Sequence, residues 1–388
     1  MLVLKNATIL TMVDPAFVGD IAIQDRKIHA LGKKLDYEDA EIIDLRGCYV
    51  LPGFIDAHSH IGLFESGTRE TEHNERTNPI TPHMRAIDGI NPADIAFYEA
   101  RSSGFTTCVT GPGSINLIGG TYAAVKTYGN IVDKMILRYP VAMKAALGEN
   151  PKFRYTERKM SPHTRMASAA IIREALISAI EYGERLKLAQ DNPEKKVERN
   201  PRWEELLSVA RGELPMKFHV HRADDIATAI RIANEFGLYY TLDHCTEGYL
   251  ITDYLKEQLN GRCKGVIIGP LSNYKNKLEV KNKAGHKLAK KLYDAEIPFA
   301  IASDFPVLTY EAMLASVALS VKEGLPEEIA LKSITLEAAK ITGIDDRVGS
   351  LEVGKDADLA VFSGNPLDYK SYCQMTIING EIVYRKAF

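Results

Sequence analysis

The stretch Gly53-Phe54-Ile55-Asp56-Ala57-His58-Ser59-His60 follows Pro52 and ends in two histidines. Residues two apart on an extended strand point to the same face, so His58 and His60 direct two imidazole rings to one point. Converging imidazoles are the geometry that a divalent metal needs. The apolar residues before them indicate a buried strand with polar groups at its carboxyl end; a plain pair of polar side chains at a strand end is the alternative interpretation.

Beyond this strand, short apolar stretches alternate with longer helical ones from residue 52 to residue 343. Such alternation predicts parallel strands with crossover helices. A closed (β/α)8 barrel takes roughly 250 residues, so the length of this region favours a barrel, with a doubly wound sheet as the alternative. The expected strands are 54–60, 106–110, 218–221, 239–244, 265–269 and 299–303, and the expected helices are 92–103, 167–188, 224–236, 287–294, 310–322 and 327–341.

The two ends of the chain differ from this middle region, because both consist of short β-type runs joined by turns. Asn379-Gly380 lies between two such runs, which is a strong hairpin signal. We therefore expect residues 1–50 and 344–388 to build one small β domain from both termini. This domain would pack on a barrel formed by residues 51–343.

The composition excludes several classes of partner. The chain has 388 residues, of which 45% are hydrophobic and 26% charged, with a net charge of −3. This balance argues against nucleic acids and anionic membrane surfaces as main partners, and no apolar run approaches the roughly 20 residues of a membrane span. The five cysteines are scattered and form no CxxC pair, which suits a reducing cytoplasm. A small molecule is the expected partner.

Polar residues also end several later strands of the predicted barrel, where catalytic groups converge in this fold. Each residue alone has a plain structural interpretation, such as a hydrogen-bonded core histidine, a snorkelling lysine or a helix-capping aspartate. Their order on successive predicted strands favours a common site instead. These residues are Lys144 in an apolar run, His219 and His221 on one face, His244, and Asp304.

With these residues in place, the chain resembles the amidohydrolase superfamily. In that superfamily His-x-His ends the first barrel strand, and a Lys, a His, a His and an Asp follow on strands four, five, six and eight. The stretch 349–362, GSLEVGKDADLAVF, is similar to the segment that leads back into the family's composite β-sandwich. Within the superfamily, the chain is most similar to the imidazolonepropionase-related group, which includes Xaa-Pro dipeptidases. The matching residues are His58, His60, Lys144, His219, His244 and Asp304.

The resemblance implies one or two divalent ions per chain, with zinc expected. His58 and His60 would hold one ion together with Asp304, and His219 and His244 would hold the other. A lysine buried among apolar residues has a lowered pKa, so Lys144 can react with CO2 to give a bridging carbamate. Metals of this kind lower the pKa of water and polarise a scissile carbonyl. Asp304 would take the water's proton and pass it to the leaving nitrogen.

Two ligand positions have alternatives. Glu149 follows Lys144 closely and is a ready-made carboxylate, Lys126 is a further lysine in an apolar run, and a mononuclear site needs no bridge. His221 shares a face with His219, so either ring can ligate. Dipeptidase-like relatives ligate through the first histidine of such a pair, which favours His219 and leaves His221 to face the substrate or to orient a metal ligand.

Position 222 bears on the reaction. Many aminohydrolases of the superfamily place a proton-shuttling Glu three residues after the fifth-strand ligand, and this chain has Arg222 there. The departure argues against base deamination. Arg222 would either bind a substrate carboxylate or form a surface ion pair. Two long segments, 64–91 and 152–165, are expected to cover the site, and the second is basic, which suits an anionic substrate.

These observations predict a cytoplasmic, metal-dependent amidohydrolase that cleaves a C–N bond in a small amide, dipeptide or cyclic amide. The alternatives are a mononuclear deaminase or imidazolonepropionase-type hydrolase, and a non-catalytic barrel, against which the complete ligand set argues. Relatives in the superfamily often pair into dimers or larger rings, so a homo-oligomer is compatible with the resemblance.

Overall fold

A computed structural model describes residues 1–65, 71–190, 196–259, 261–271, 278–281 and 283–387. Within these residues the strands form two sheets of eight strands each. The strands are β1 (Leu2–Ile9), β2 (Phe17–Gln24), β3 (Lys27–Gly32), β4 (Glu41–Asp44), β5 (Tyr49–Pro52), β6 (Phe54–Ser59), β7 (Phe105–Thr110), β8 (Ile118–Lys126), β9 (Ile136–Ala146), β10 (Met216–Val220), β11 (Tyr240–His244), β12 (Cys263–Ile268), β13 (Phe299–Ile301), β14 (Leu359–Phe362), β15 (Cys373–Ile378) and β16 (Glu381–Arg385).

The helices lie mostly between the strands of the second sheet. They are α1 (Ala96–Ser102), α2 (Val132–Met135), α3 (Glu149–Glu157), α4 (Arg165–Gln190), α5 (Pro201–Ala210), α6 (Ala223–Phe236), α7 (Thr252–Glu257), α8 (Lys287–Asp294), α9 (Tyr310–Lys322), α10 (Glu327–Lys332) and α11 (Leu336–Thr342). None of the helices in the described part of the chain combines the length and the apolar character needed to cross a bilayer.

The second sheet is the barrel. Its strands run in the order β6 to β13, and the strands β9 to β13 are parallel neighbours. Backbone hydrogen bonds link the residues that follow β13 to the end of β6: Asp304 N–H donates to His58 O at 3.1 Å, and His60 N–H donates to Phe305 O at 3.0 Å. These bonds bring the first and eighth strands together, so the predicted barrel is confirmed over the doubly wound sheet.

The prediction of uniformly parallel strands was wrong for β8. This strand pairs antiparallel with β7 on one side and with β9 on the other. All nine residues of β8 are buried, so no alternation of polar and apolar residues distinguishes its direction in the sequence. A loop without a crossover helix joins β7 to β8, and the short helix α2 precedes β9. Lys144 nevertheless lies on the fourth strand of the barrel, as predicted.

The first sheet combines strands from both ends of the chain, in the order β16-β15-β14-β5-β1-β2-β3 with β4 paired to β1. β14 pairs with β5, which places the carboxyl-terminal strands beside the amino-terminal ones. The predicted hairpin at Asn379-Gly380 is confirmed, and both residues have positive φ, 50° and 77°, which suits a tight hairpin turn. The packing of this sheet as a two-layer sandwich and the domain boundaries stay predictions.

Three of the expected helices allow the predicted helix ends to be compared with the observed ones. α6 ends at Gly237, which has a left-handed backbone with φ of 64°, as the sequence indicated. α1 begins at Ala96 rather than after Asn91, because the Asn91 side chain accepts from Ala93 N–H in a turn before the helix. The expected helix over 327–341 is two helices, α10 and α11, separated at residues 333–335.

Charged side chains connect the terminal sheet to the barrel around Asp356. Its carboxylate accepts from Lys27 Nζ at 2.7 Å, from Lys126 Nζ at 3.0 Å and from Arg347 Nη2 at 2.7 Å. Burial opposes ionisation of Asp356, but Arg347 and the two lysines outweigh it and hold the carboxyl pKa well below its usual range. These three cations together compensate the buried anion.

Replacing Asp356 with asparagine is expected to lower the free energy of unfolding by about 1.5–3 kcal/mol, because buried Lys126 keeps only one of its two carboxylate partners and the half-exposed Lys27 and Arg347 lose this one. Urea unfolding at neutral pH measures this loss. Since the folded pKa is depressed, the contribution is complete above the ordinary carboxyl pKa of about 3.9 and fades as the pH falls toward the folded value. The difference between the two proteins should therefore shrink in acid.

Asp346 provides the matched control, because its side chain is 60% exposed and lies 3.5 Å from Arg138 in a surface ion pair. Asp346→Asn should change the free energy of unfolding by less than about 1 kcal/mol. Equal effects of the Asp346 and Asp356 substitutions would show that the Asp356 cluster does not stabilise the contact between the sheet and the barrel.

Candidate metal centre

The predicted site residues meet at the carboxyl ends of the barrel strands. His58 lies on β6, His219 on β10 and His244 at the end of β11, while Asp304 follows β13. Asp304 Oδ1 is 3.5 Å from His58 Nε2 and 3.4 Å from His60 Nε2. The histidines are buried, and the Asp304 side chain is 19% exposed. The strand ends thus bring together the residues that the sequence spreads over some 250 positions.

Two overlapping groups of side chains have the spacing of metal ligands. In each group the ligand atoms all lie within 4.8 Å of one another, and His244 belongs to both. Nε2 of His58 and Nε2 of His244 are buried and have no hydrogen-bond partner among the described residues. A buried nitrogen without a partner is costly, and a metal ion would satisfy both. The groups are His219, His221 and His244, and His58, His244 and Asp304.

The Nδ1 atoms of three of the histidines have hydrogen-bond partners. His60 Nδ1 donates to Gly111 O at 2.7 Å, and His244 Nδ1 donates to Gly269 O at 2.6 Å. His221 Nδ1 lies 2.7 Å from Thr246 Oγ1. A carbonyl acceptor at Nδ1 fixes the tautomer whose Nε2 carries a lone pair. The rings therefore present the nitrogen that a metal binds.

Two of the site residues have strained backbones. His244 has φ of 66° and Asp304 has φ of 52°, which is the left-handed region that side chains rarely adopt. Such a conformation costs on the order of 1–3 kcal/mol and is held by its surroundings, typically at functional sites. At His244 it also breaks the in–out alternation of β11, because both His244 and its neighbour Asp243 reach the barrel interior.

The electrostatics favour neutral rings beside a carboxylate. Burial, together with the nearby Lys144, lowers the pKa of His58 to about 4, and burial also lowers the pKa of His244. Desolvation by burial would raise the pKa of Asp304, but its close contacts with His58 and His60 and the nearby His244 hold the pKa well below its usual range. At neutral pH the site therefore offers neutral imidazoles and an anion, which is the donor set of a divalent metal.

Lys144 and Glu149 occupy different places. Lys144 is fully buried inside the barrel with its Nζ 3.4 Å from the Tyr122 hydroxyl, and burial lowers its pKa to about 8. Glu149 begins α3, lines the cavity above the histidines and donates its backbone N–H to Glu279 at 2.8 Å. Lys126 pairs with Asp356 and a second aspartate in the cluster that links the barrel to the terminal sheet, which removes it as a candidate ligand.

The structure brings both His219 and His221 to the site. Their ring centroids are 4.7 Å apart, and each ring also contacts the ring of His244. His219 Nε2 lies 3.3 Å from Asn150 Nδ2, and His221 Nε2 lies 3.8 Å from Glu279 Oε1. Assignment of His219 as the ligand and of His221 to the substrate therefore stays a proposal.

A cavity of about 1280 Å³ opens above the histidines. Both segments expected to cover the site contribute to it, although residues 66–70 of the first lie outside the described residues and the second is partly helical in α3. Lys152, Arg154 and Lys283 give its wall positive charge. Arg222 is not among the lining residues; its guanidinium pairs with Asp224 at 2.7 Å at the start of α6, as the surface alternative described.

Asp243 and Lys217 were not among the predicted site residues, but both lie beside the proposed metal ligands. Asp243 Oδ2 is 2.5 Å from His58 Nδ1 and 3.0 Å from Lys217 Nζ. Lys217 shares a strand face with His219, so its spacing was a usable signal. Asp243 gave no such signal, because strict alternation would place it opposite His244 and the left-handed backbone of His244 cancels that rule.

Known proteins similar to this chain include several amidohydrolases. Residues 192–384 match the Amidohydrolase family. The crystal structure of an amidohydrolase from Thermotoga maritima MSB8 superposes with a TM-score of 0.96 at 40% identity, covering 100% of both chains. The imidazolonepropionase of Shewanella pealeana is 26% identical over 94% of this chain and 93% of its own length. The amidohydrolase tasK of Hapsidospora irregularis is 28% identical over 90% of this chain, which spans 38% of tasK.

The chain therefore belongs to the amidohydrolase superfamily, and the resemblance of its sequence motifs is confirmed. By class it is a hydrolase that acts on carbon–nitrogen bonds.

Proposed function

We propose that this protein is a metal-dependent amidohydrolase that cleaves a C–N bond of a small amide, dipeptide or cyclic amide. The observation that carries the proposal is the convergence of two partnerless buried nitrogens, His58 Nε2 and His244 Nε2, on the carboxylate of Asp304. A purely structural core would pair these nitrogens, since unpaired buried polar atoms are rare. In a non-catalytic barrel, nothing would explain why these two nitrogens lack a hydrogen-bond partner.

The proposed ligands follow from position. His58, His60 and Asp304 would hold one ion, and His219 and His244 the second, with a carbamate on Lys144 between them. Zinc suits this donor set of imidazole nitrogens and carboxylate oxygens. When bound, such ions polarise the scissile carbonyl and lower the pKa of the attacking water. Lys144 supports the bridging role because it is buried within the barrel and its lowered pKa favours the free amine that reacts with CO2.

Proton transfer, contact with the substrate and exclusion of water would fall to residues of this chain. Asp304 is ionised at neutral pH and lies at the floor of the cavity, where it can accept a proton from water and return it to the leaving nitrogen. His221 also lines the cavity, and its Nδ1 is held by Thr246, so its ring is oriented toward a bound substrate. The covering segments would limit the access of water.

An anionic substrate fits the cavity wall. Lys152 and Arg154, both on α3, line the cavity together with Lys283, and Arg154 also pairs with Glu157 at 3.2 Å, while Phe64 and Val307 supply apolar surface. A carboxylate next to an amide, as in an N-acyl amino acid or a dipeptide, would pair with these cations and leave its amide over the histidines.

Replacing Lys152 and Arg154 together with glutamine is expected to raise KM for an anionic substrate about tenfold or more with little change in kcat, because one charge-assisted contact is worth at least about 1.4 kcal/mol. Steady-state kinetics on a paired acid and its amide measure the effect. Arg222→Gln is the matched control, since Arg222 pairs with Asp224 outside the cavity. A larger increase in KM from Arg222→Gln than from the double substitution would indicate that Arg222 binds the substrate carboxylate, which is one of the two roles expected from the sequence.

Turnover of defined substrates tests the proposed function. The zinc-loaded and the manganese-loaded protein would be incubated with N-acyl amino acids, dipeptides and cyclic amides, and release of the free amine would be followed. Hydrolysis that stops on chelation and returns with metal is the expected result. Absence of hydrolysis across all three classes by a protein that binds metal would favour the non-catalytic barrel.

A mononuclear, imidazolonepropionase-type hydrolase is the second candidate. The imidazolonepropionase relative that covers more than nine tenths of both chains favours it. One ion per chain with an unmodified Lys144 would select this candidate over the binuclear one.

For location we propose the cytoplasm. All five cysteines are free thiols, and three of them are buried, which suits a reducing compartment.

A further inference from the structure

Lys217 is a buried lysine that the proposed chemistry does not use. It lies on β10 opposite Lys144 on β9, and its side chain is 2% exposed. Its ammonium donates to Ala57 O at 3.1 Å, contacts Asp243 Oδ2 at 3.0 Å and sits 5.6 Å from the centre of the Tyr122 ring. Burying a cation is costly even when it is paired. A residue kept at this cost inside the barrel calls for a role.

Asp243 connects Lys217 to the metal centre. Its Oδ2 receives both Lys217 Nζ and His58 Nδ1, the latter at 2.5 Å, while its Oδ1 accepts from Thr241 Oγ1 at 3.2 Å. Both carboxylate oxygens are therefore engaged. Donation from His58 Nδ1 leaves the lone pair on Nε2, the atom that faces Asp304.

His58 differs in this respect from its neighbours. His60 and His244 donate their Nδ1–H to the backbone carbonyls of Gly111 and Gly269, whose positions the strands and loops fix. The partner of His58 is a side chain, and a carboxylate on a rotatable bond is not fixed by the backbone. Thr241 holds its Oδ1, and the ammonium of Lys217, itself anchored to Ala57 on the same strand as His58, holds the Oδ2 that His58 contacts.

We propose that Lys217 is a positioning residue of the metal centre: it holds Asp243 so that His58 keeps the tautomer whose Nε2 is free to bind metal. The inference rests on the proposed function in that it assigns metal binding to His58. The orientation and the tautomer of the His58 ring can, however, be measured in the metal-free protein.

Lys217→Met tests this role, with Lys126→Met as the matched control. Lys126 is also buried and paired with two aspartates, but these belong to the cluster that links the barrel to the terminal sheet. Both variants lose a buried ion pair, so both should be less stable. Only Lys217→Met should weaken zinc binding, by roughly 10- to 100-fold, the usual loss when a partner behind a ligand is removed. Competition with a chromophoric chelator measures this affinity.

The tautomer of His58 is read in the metal-free protein by 15N NMR of labelled histidine, with the His58 signals assigned by their loss in His58→Asn. The wild type and Lys126→Met should show a protonated Nδ1 and a bare Nε2, whereas Lys217→Met should show a mixture. If Lys217→Met does not fold, Lys217→Met/Asp243→Asn removes both charges and should show the same mixed tautomer and weakened zinc binding.

Wild-type tautomer together with wild-type zinc affinity in a folded Lys217 variant would overturn the inference, as would an equal loss of affinity in Lys126→Met. Failure of the proposed function has a different signature. A wild-type protein that binds no divalent metal would refute the function, while the tautomer measured in the metal-free variants would still decide the role of Lys217.

Discussion

Asp304→Asn is expected to reduce kcat by roughly a thousandfold or more, within the 10²- to 10⁴-fold range of a positioned proton-transfer group and the added loss of its charge. The substitution keeps the shape of the side chain but removes its ability to accept a proton. Asp304 Oδ1 lies 3.5 Å from His58 Nε2 and 3.4 Å from His60 Nε2 at the floor of the cavity. Among the described lining residues, Glu149 is the only other carboxylate that is placed to take over its role. Steady-state kinetics on a substrate found by screening measure the loss.

The metal content of Asp304→Asn distinguishes loss of the general base from loss of the metal site itself. The imidazoles of His58 and His244 keep their positions through Asp243 and Gly269, so metal content measured by mass spectrometry should stay close to that of the wild type. Glu149→Gln is the comparison, because it removes the other carboxylate of the lining. Unchanged turnover by Asp304→Asn, with turnover lost in Glu149→Gln, would move the general base to Glu149.

Lys144→Ala has the second large effect. If the carbamate of Lys144 bridges two ions, removing it should release one ion per chain and lower kcat/KM by more than the roughly 100-fold loss that follows from losing a partner behind a ligand. Lys144 is fully buried, so truncation leaves a space beside Tyr122 that a small carboxylate can fill. Added acetate or propionate should therefore restore part of the activity and of the metal content.

Carbamate formation gives a direct signature. Wild-type protein incubated with 13C-bicarbonate should show one carbamate carbon signal that is absent from Lys144→Ala. Lys126→Met, at the junction of the barrel and the terminal sheet, should retain the signal. A Lys144 variant with full metal content and full activity, together with a metal-depleted Glu149→Gln, would assign the bridging position to Glu149 instead.

The fold was predictable where sequence periodicity has one structural meaning. The helices over Lys287–Asp294 and Tyr310–Lys322 match their predicted bounds, because apolar spacing and flanking turns agree there. β8 was not predictable: every one of its residues is buried, and a strand buried on both faces carries no sign of its direction. Hydrogen bonds to β7 and β9, which lie on either side of it, decide that direction.

The site was predictable to the extent that its residues end strands. Alternation along a strand identifies His58 and His60, or His219 and His221, without knowledge of the fold. It fails at Asp243, since the left-handed backbone of His244 turns two successive side chains to the same region. For Arg222 the sequence left two roles open, and the structure shows the surface ion pair, with Asp224 at the start of a helix.

Anomalous diffraction from crystals of the zinc-loaded protein would show whether the histidine cluster binds two ions. Two zinc peaks per chain are expected at the carboxyl end of the barrel. One should be bound by His58, His60 and Asp304, and the other by His244 with His219, with the modified end of Lys144 between them. Zinc that binds elsewhere, or a protein that binds none while His58 Nε2 and His244 Nε2 stay bare, would contradict this expectation.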